Sequence, residues 1–143
     1  MAPGEKRMTA KEFLRQYEYA TKRVARLEVE LEEERVLIDA VRSVSDNDGM
    51  PHGTGISKPT EDKAIRLADK MQRLADARLD AIRIRQEVFD VIESVGGDEA
   101  EVLYQRYILL KQWSVVCESV YWSWFKVNGL HRSALEKVEQ MIN

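Results

Sequence analysis

At 143 residues the chain is long enough for one domain with its own core, or for a small domain with an elongated extension. Its 22 Lys and Arg stand against 25 Asp and Glu, a formal charge of -3, which excludes the broad positive field that steers proteins onto nucleic acid, so any DNA contact has to be local. The single cysteine, Cys117, excludes an internal disulfide framework, and neither His52 nor His131 stands at ligand spacing from it, so no metal or other cofactor is expected.

Residues 1–8 read as a flexible tail, with no apolar stretch after Lys6 and Arg7 to make a signal peptide. Nowhere do the roughly 18 uninterrupted apolar residues of a spanning helix occur, so a cytoplasmic protein without a membrane partner is expected. Thr9 and Glu12 form a capping-box pattern, and the helix they open runs to about Val44. Along it Phe13, Tyr17, Ala20, Val24, Leu27, Leu31, Ile38 and Val41 recur in 3,4 alternation, broken by Glu34. Such a helix is roughly 50 Å long and calls for a partner of similar length.

The Gly/Pro-rich stretch 45–59 predicts a connecting loop, and Thr60 a cap for the second helix. Ile65, Ala68, Met71, Leu74, Ala75, Ile82, Phe89 and Ile92 mark its stripe, which ends at Gly96-Gly97. Residues 9–96 therefore read as a long antiparallel helical hairpin of coiled-coil type. Leu67, Leu79, Ile84, Val88 and Val91 fall off that stripe, so a further surface has to pack there, either the C-terminal unit or a second copy of the chain, and a homodimer is expected. The run Glu28, Glu30, Glu32, Glu33 and Glu34 reads as a solvated face opposed by basic residues of a neighbour.

Residues 97–143 predict three helices: one capped by Asp98 with Glu101 and ending near Leu109, a second over Trp113 to Val120, and a third from the cap Ser123 to about Ile142. Trp113, Val116, Cys117 and Val120 share one face, as do Val127, Leu130, Ala134 and Val138. Cys117 is small enough for a close crossing and Val127 can plug it, which is the pattern of a helix-turn-helix unit whose second helix enters the major groove. An ordinary three-helix cap on a bundle is the other reading of the same stripes. Overall the sequence predicts an all-α protein, a helical hairpin followed by a three-helix helix-turn-helix unit.

Several stretches carry a resemblance: Met8-Thr9-Ala10-Lys11-Glu12-Phe13-Leu14-Arg15-Gln16-Tyr17, the loop Gly49-Met50-Pro51-His52-Gly53, Leu103 to Tyr107, Trp113, and Leu130-His131 with Ala134-Leu135. In these the chain resembles the sigma-factor-like phage proteins related to the ArpU and RinA late-transcription regulators, which end in a unit similar to sigma region 4. The resemblance implies a phage or prophage regulator acting on DNA, on bacterial RNA polymerase, or on both. Where that family carries glycine at the turn this chain has Tyr121, and Phe125 and Gly129 stand where it typically carries outward arginines.

For DNA there remain Lys126, Asn128, His131, Arg132 and Lys137. The aromatics suggest an alternative, a protein-binding module that holds a host protein such as polymerase or a defence nuclease through Tyr121, Trp122 and Phe125, with Trp113 and Trp124 turned inward as core. A structural helical protein with a vestigial helix-turn-helix is the third reading. No residues suggest an enzyme or a small-molecule substrate: the loop glycines lack phosphate-loop spacing, and Cys117 has no base within a turn.

Overall fold

The computed structural model describes residues 7–46 and 58–143, and every regular element among them is helical. The expected loop with its Met50-Pro51-His52-Gly53 stretch, and most of the expected N-terminal tail, lie outside the described residues. The helices are α1 (Ala10–Asp46), α2 (Lys58–Val95), α3 (Gly97–Leu103), α4 (Trp113–Val120) and α5 (Trp124–Ile142). Among the described residues no helix is long and apolar enough to cross a membrane.

α1 begins where its capping box predicts. The Thr9 amide donates to Glu12 Oε2 and the Glu12 amide donates to Thr9 Oγ1, both at 3.2 Å, so two amides that the first turn leaves unpaired are satisfied. α2 starts at Lys58, ahead of Thr60, so the expected cap falls inside the helix. Between α2 and α3, Gly96 and Gly97 take φ of 73° and 63°, a backbone region that glycine enters without the Cβ clash of other residues. No side chain caps α3; Asp98 lies in its first turn with Glu99, complementing the positive helix end, and is not the cap that its spacing suggests.

α3 runs on into one π-helical turn, Tyr104–Ile108, closed by the Leu109 amide on the Tyr104 carbonyl at 3.0 Å. The chain then leaves helical geometry through Leu110, whose φ is 56°.

The chain divides into two compact units, Met1–Thr21 with Asp80–Asn143, and Lys22–Leu79. In the first, Ala10 and Leu14 of α1, Val88 and Ile92 of α2, Leu103, Tyr107 and Ile108, and Ala134 and Val138 of α5 form one buried cluster. The Ala10 amide donates to Glu139 Oε2 at 2.8 Å, fastening the start of α1 to α5. A second cluster gathers Val102, Val116 and Val127, with Trp113, Cys117, Val120, Trp122 and Leu130 packed against it.

In the second unit Leu31, Leu74 and Ala77 are buried, and Val24, Leu27, Ile38 and Leu67 are half-buried. Glu34, the break in the α1 stripe, takes Lys70 Nζ at 3.3 Å, and Glu28 takes Arg78 at 3.1 Å. Of the expected α2 stripe, Leu74, Phe89 and Ile92 are covered, but the phase of the rest was misjudged. Ile65, Ala68, Met71, Ala75 and Ile82 are exposed, while the covered row runs through Leu67, Leu74, Ala77, Ala81, Ile84 and Val88. α2 carries more apolar residues than one contact can cover, and the covered row includes Ala77 and Ala81, whose small side chains allow close approach. Val41, expected on the α1 seam, is exposed as well.

Candidate functional site

The segment from Trp113 to Ile142 holds most of the residues singled out from the sequence. α4 ends at Tyr121, which adopts the left-handed conformation with φ of 58° and ψ of 35°. The Tyr121 and Trp122 amides both donate to the Cys117 carbonyl, a Schellman-type ending that normally has glycine at the left-handed position. Forcing a tyrosine there costs about 1–2 kcal/mol. Ser123 then caps α5, its hydroxyl accepting the Lys126 amide at 3.2 Å. Val116 and Val127 are fully buried where α4 meets α5, and Cys117 packs against the same cluster.

That packing decides which α5 side chains face solvent. Phe125, Gly129, Arg132 and Glu136 are exposed along one side, with Phe125 at 89%. A Cβ built on Gly129 would meet nothing within 4 Å, so this part of the surface is open. Lys126 is exposed with its Nζ 4.2 Å from the centre of the Trp122 ring, a cation–π contact, and Trp122, expected to face outward, is half-buried against the Val102, Val116 and Val127 cluster. Asn128 is half-buried. Tyr121 at the turn is 93% exposed.

Two of the candidate DNA contacts are committed elsewhere. His131 is only 8% exposed, its Nε2 lies 2.7 Å from Tyr107 Oη, and the Trp113 ring meets it edge-on with centroids 4.6 Å apart. It is a core residue, because Leu130 and Ala134 set the inward face of α5 and His131 lies between them. Burial, followed by the nearby charges of Lys11 and Arg106, lowers its pKa to about 4, so the imidazole is neutral and exchanges a hydrogen bond with the phenol. Burial likewise raises Tyr107 to about 12, against the opposing pull of Arg106 and Arg15.

Lys137 turns toward α3, where its Nζ sits 3.0 Å from Glu99 Oε1, an oxygen that also accepts the Ser133 hydroxyl at 3.2 Å. Trp124 is likewise displaced from its expected place. It is 51% exposed and rests edge-to-face on Trp113, with centroids 5.5 Å apart, because the cap at Ser123 puts it on the first turn of α5, outside the Val116–Val127 contact.

The surface therefore combines Lys126 and Arg132 as cations with Tyr121, Trp124 and Phe125 as exposed rings. The Tyr107–His131–Trp113 contacts behind it escaped sequence reading. The burial of His131 was legible only in its place between Leu130 and Ala134. Comparison with protein-family models, with curated proteins and with solved structures finds no match to this chain.

Proposed function

We propose that this chain is a DNA-binding regulator, with α4, the turn at Tyr121 and α5 acting as a helix-turn-helix and α5 as the helix presented to the groove. More specifically, it is a phage or prophage transcription regulator of the sigma-region-4-like kind, acting on DNA and/or bacterial RNA polymerase. The observation that carries this is the crossing of α4 and α5: Val116, Val127 and Cys117 share one cluster, Tyr121 makes the left-handed turn, and Phe125, Gly129 and Arg132 line the free face.

Arg132 is the residue best suited to a bidentate base contact, and Lys126 to a phosphate. With so few cations the affinity is modest and its salt dependence shallow, a log–log slope of roughly -2 at most. A gel shift or anisotropy titration on DNA flanking the protein's own gene, at low salt, tests the reading. Binding weakened about tenfold by Arg132→Ala is expected, since one good contact is worth about 1–3 kcal/mol. No shift at micromolar protein defeats the proposal.

The exposure of Tyr121 and Phe125 favours a second reading, a module that binds a protein through these rings. Purified bacterial RNA polymerase is the partner to try first. Tyr121→Ala and Phe125→Ala should each weaken its binding while leaving the fold intact; wild-type binding by both variants removes this version. In either reading the second unit is where a second copy would pair, supported by the uncovered Val29, Val36 and Leu37 of α1 and Ile65, Met71 and Leu79 of α2. A sedimentation velocity series that stays monomeric to high concentration would sink that pairing.

A further inference from the structure

Next to the Tyr107–His131 pair, the first unit contains a cavity of about 170 Å³ that the proposed function leaves unused. Lys11, Arg15 and Glu18 of α1 form one wall, and Arg106, Leu110 and Trp113 the other, with Tyr107 between them. Three cations thus face one carboxylate, and that carboxylate is already engaged by Arg15 Nε at 3.3 Å. Arg106 donates one Nη to the Lys111 carbonyl at 2.8 Å, and its guanidinium lies 5.1 Å from the centre of the Trp113 ring. Its other N–H groups, and the Lys11 ammonium, have no protein acceptor among the described residues.

The backbone around this cavity is irregular in two ways. The π-helical turn Tyr104–Ile108 carries both Arg106 and Tyr107, and Leu110 is held at positive φ. π-turns and strained non-glycine residues are concentrated at sites that use them. α4 also opens at Trp113 with no acidic residue in its first turn and no side-chain cap, so its positive end is uncompensated. The same cations act on Tyr107 in the lining and on His131 hydrogen-bonded to it: Lys11 and Arg106 depress His131 beyond the effect of burial, and Arg106 and Arg15 oppose the rise of Tyr107.

We propose that this cavity binds a phosphate-class anion, held by Lys11, Arg15 and Arg106, with Trp113 in the lining beside them. A guanidinium offers paired donors matched to two oxygens of a tetrahedral anion, and the ammonium adds a point charge. The anion has two possible sources, a free phosphate or phosphomonoester and a backbone phosphate of nucleic acid. The proposal does not depend on α5 reading DNA.

The test is an NMR titration of the ¹⁵N-labelled full chain with inorganic phosphate at constant ionic strength, followed at the Trp113 indole N–H. A saturable shift in the millimolar range is expected, weakened about tenfold in Lys11→Gln and in Arg106→Gln, in keeping with the loss of a charge-assisted contact. Lys11 is exposed, so Lys11→Gln keeps its fold even if Arg106→Gln does not. No saturable shift with tens of millimolar phosphate, or shifts equal in wild type and Lys11→Gln, overturns the proposal. A second arm adds duplex DNA to the phosphate-loaded protein: displacement of phosphate identifies a backbone phosphate as the occupant, and retention identifies the free anion. Phosphate binding without any DNA binding would end the DNA-binding reading of α5 and leave this site standing.

Discussion

The two units bury their side chains in different ways. In the first, Leu14, Val88, Ile92, Val102, Leu103, Val116, Val127, Ala134 and Val138 are wholly removed from solvent, and they come from α1, α2, α3, α4 and α5. In the second, Leu31, Leu74 and Ala77 are the buried apolar side chains among the described residues, while Val29, Val36, Leu37, Ile65, Met71 and Leu79 are exposed. A helix with one neighbour covers one stripe, whereas a core needs neighbours on several sides. The difference places most of the intrinsic stability in the first unit.

Core truncation should expose this contrast most strongly. Leu103→Ala is expected to cost about 3–4 kcal/mol in urea unfolding, within the range for a fully enclosed leucine, and Leu31→Ala roughly half of that. Equal losses would break the distinction between the units. Next in size is the response to acid. His131 is lowered to about 4 from an ordinary 6.5, so the unfolded chain takes up the proton first. The stability from keeping His131 neutral is complete above pH 6.5 and is lost as pH falls from 6.5 to about 4, roughly 3 kcal/mol at most. Tyr107, raised to about 12, contributes stability that is complete below pH 10 and lost as pH rises from 10 to about 12. Urea midpoints against pH should show both limbs, the acid one flattening in His131→Gln.

Two substitutions should strengthen the first unit. Tyr121→Gly relieves the left-handed tyrosine and removes a side chain that is almost fully exposed, so a gain of about 1 kcal/mol is expected in thermal or denaturant unfolding. Gly129→Ala should gain a similar ~1 kcal/mol, because its new methyl meets nothing and alanine is the better helix former. A loss in either case would mean that the turn or the open face is packed by something else. The smallest effect belongs to the second unit, where Arg78→Ala breaks the exposed pair with Glu28 and should change stability by less than about 1 kcal/mol, fading in high salt.

Helix positions were largely legible because their signals are local. Thr9 with Glu12, Ser123, and Gly96-Gly97 act within one turn of the backbone, and the structure uses each at the position read from the sequence. That Cys117 and Val127 belong to one apolar cluster was legible too, since two short stripes one turn apart leave few ways to pack. The face of α2 was not. Its apolar residues form two rows, and the choice between them depends on which side chains α1 and the other helices present. His131 was misread for the same reason: on α5 alone it could face solvent, but Tyr107, which pairs with it, comes from elsewhere in the chain, as does the Glu99 that pairs with the exposed Lys137.

By itself the sequence determined an all-helical chain, the ends of most helices and the sharp turn between α4 and α5, because caps, glycines and 3,4 spacing are settled over a few residues. Tertiary structure decided which side of α2 is covered, that His131 is held neutral in a core, and that Lys11, Arg15 and Arg106 surround one cavity. Those outcomes depend on side chains far apart in sequence meeting, and burial or charge at a residue is a property of all its neighbours.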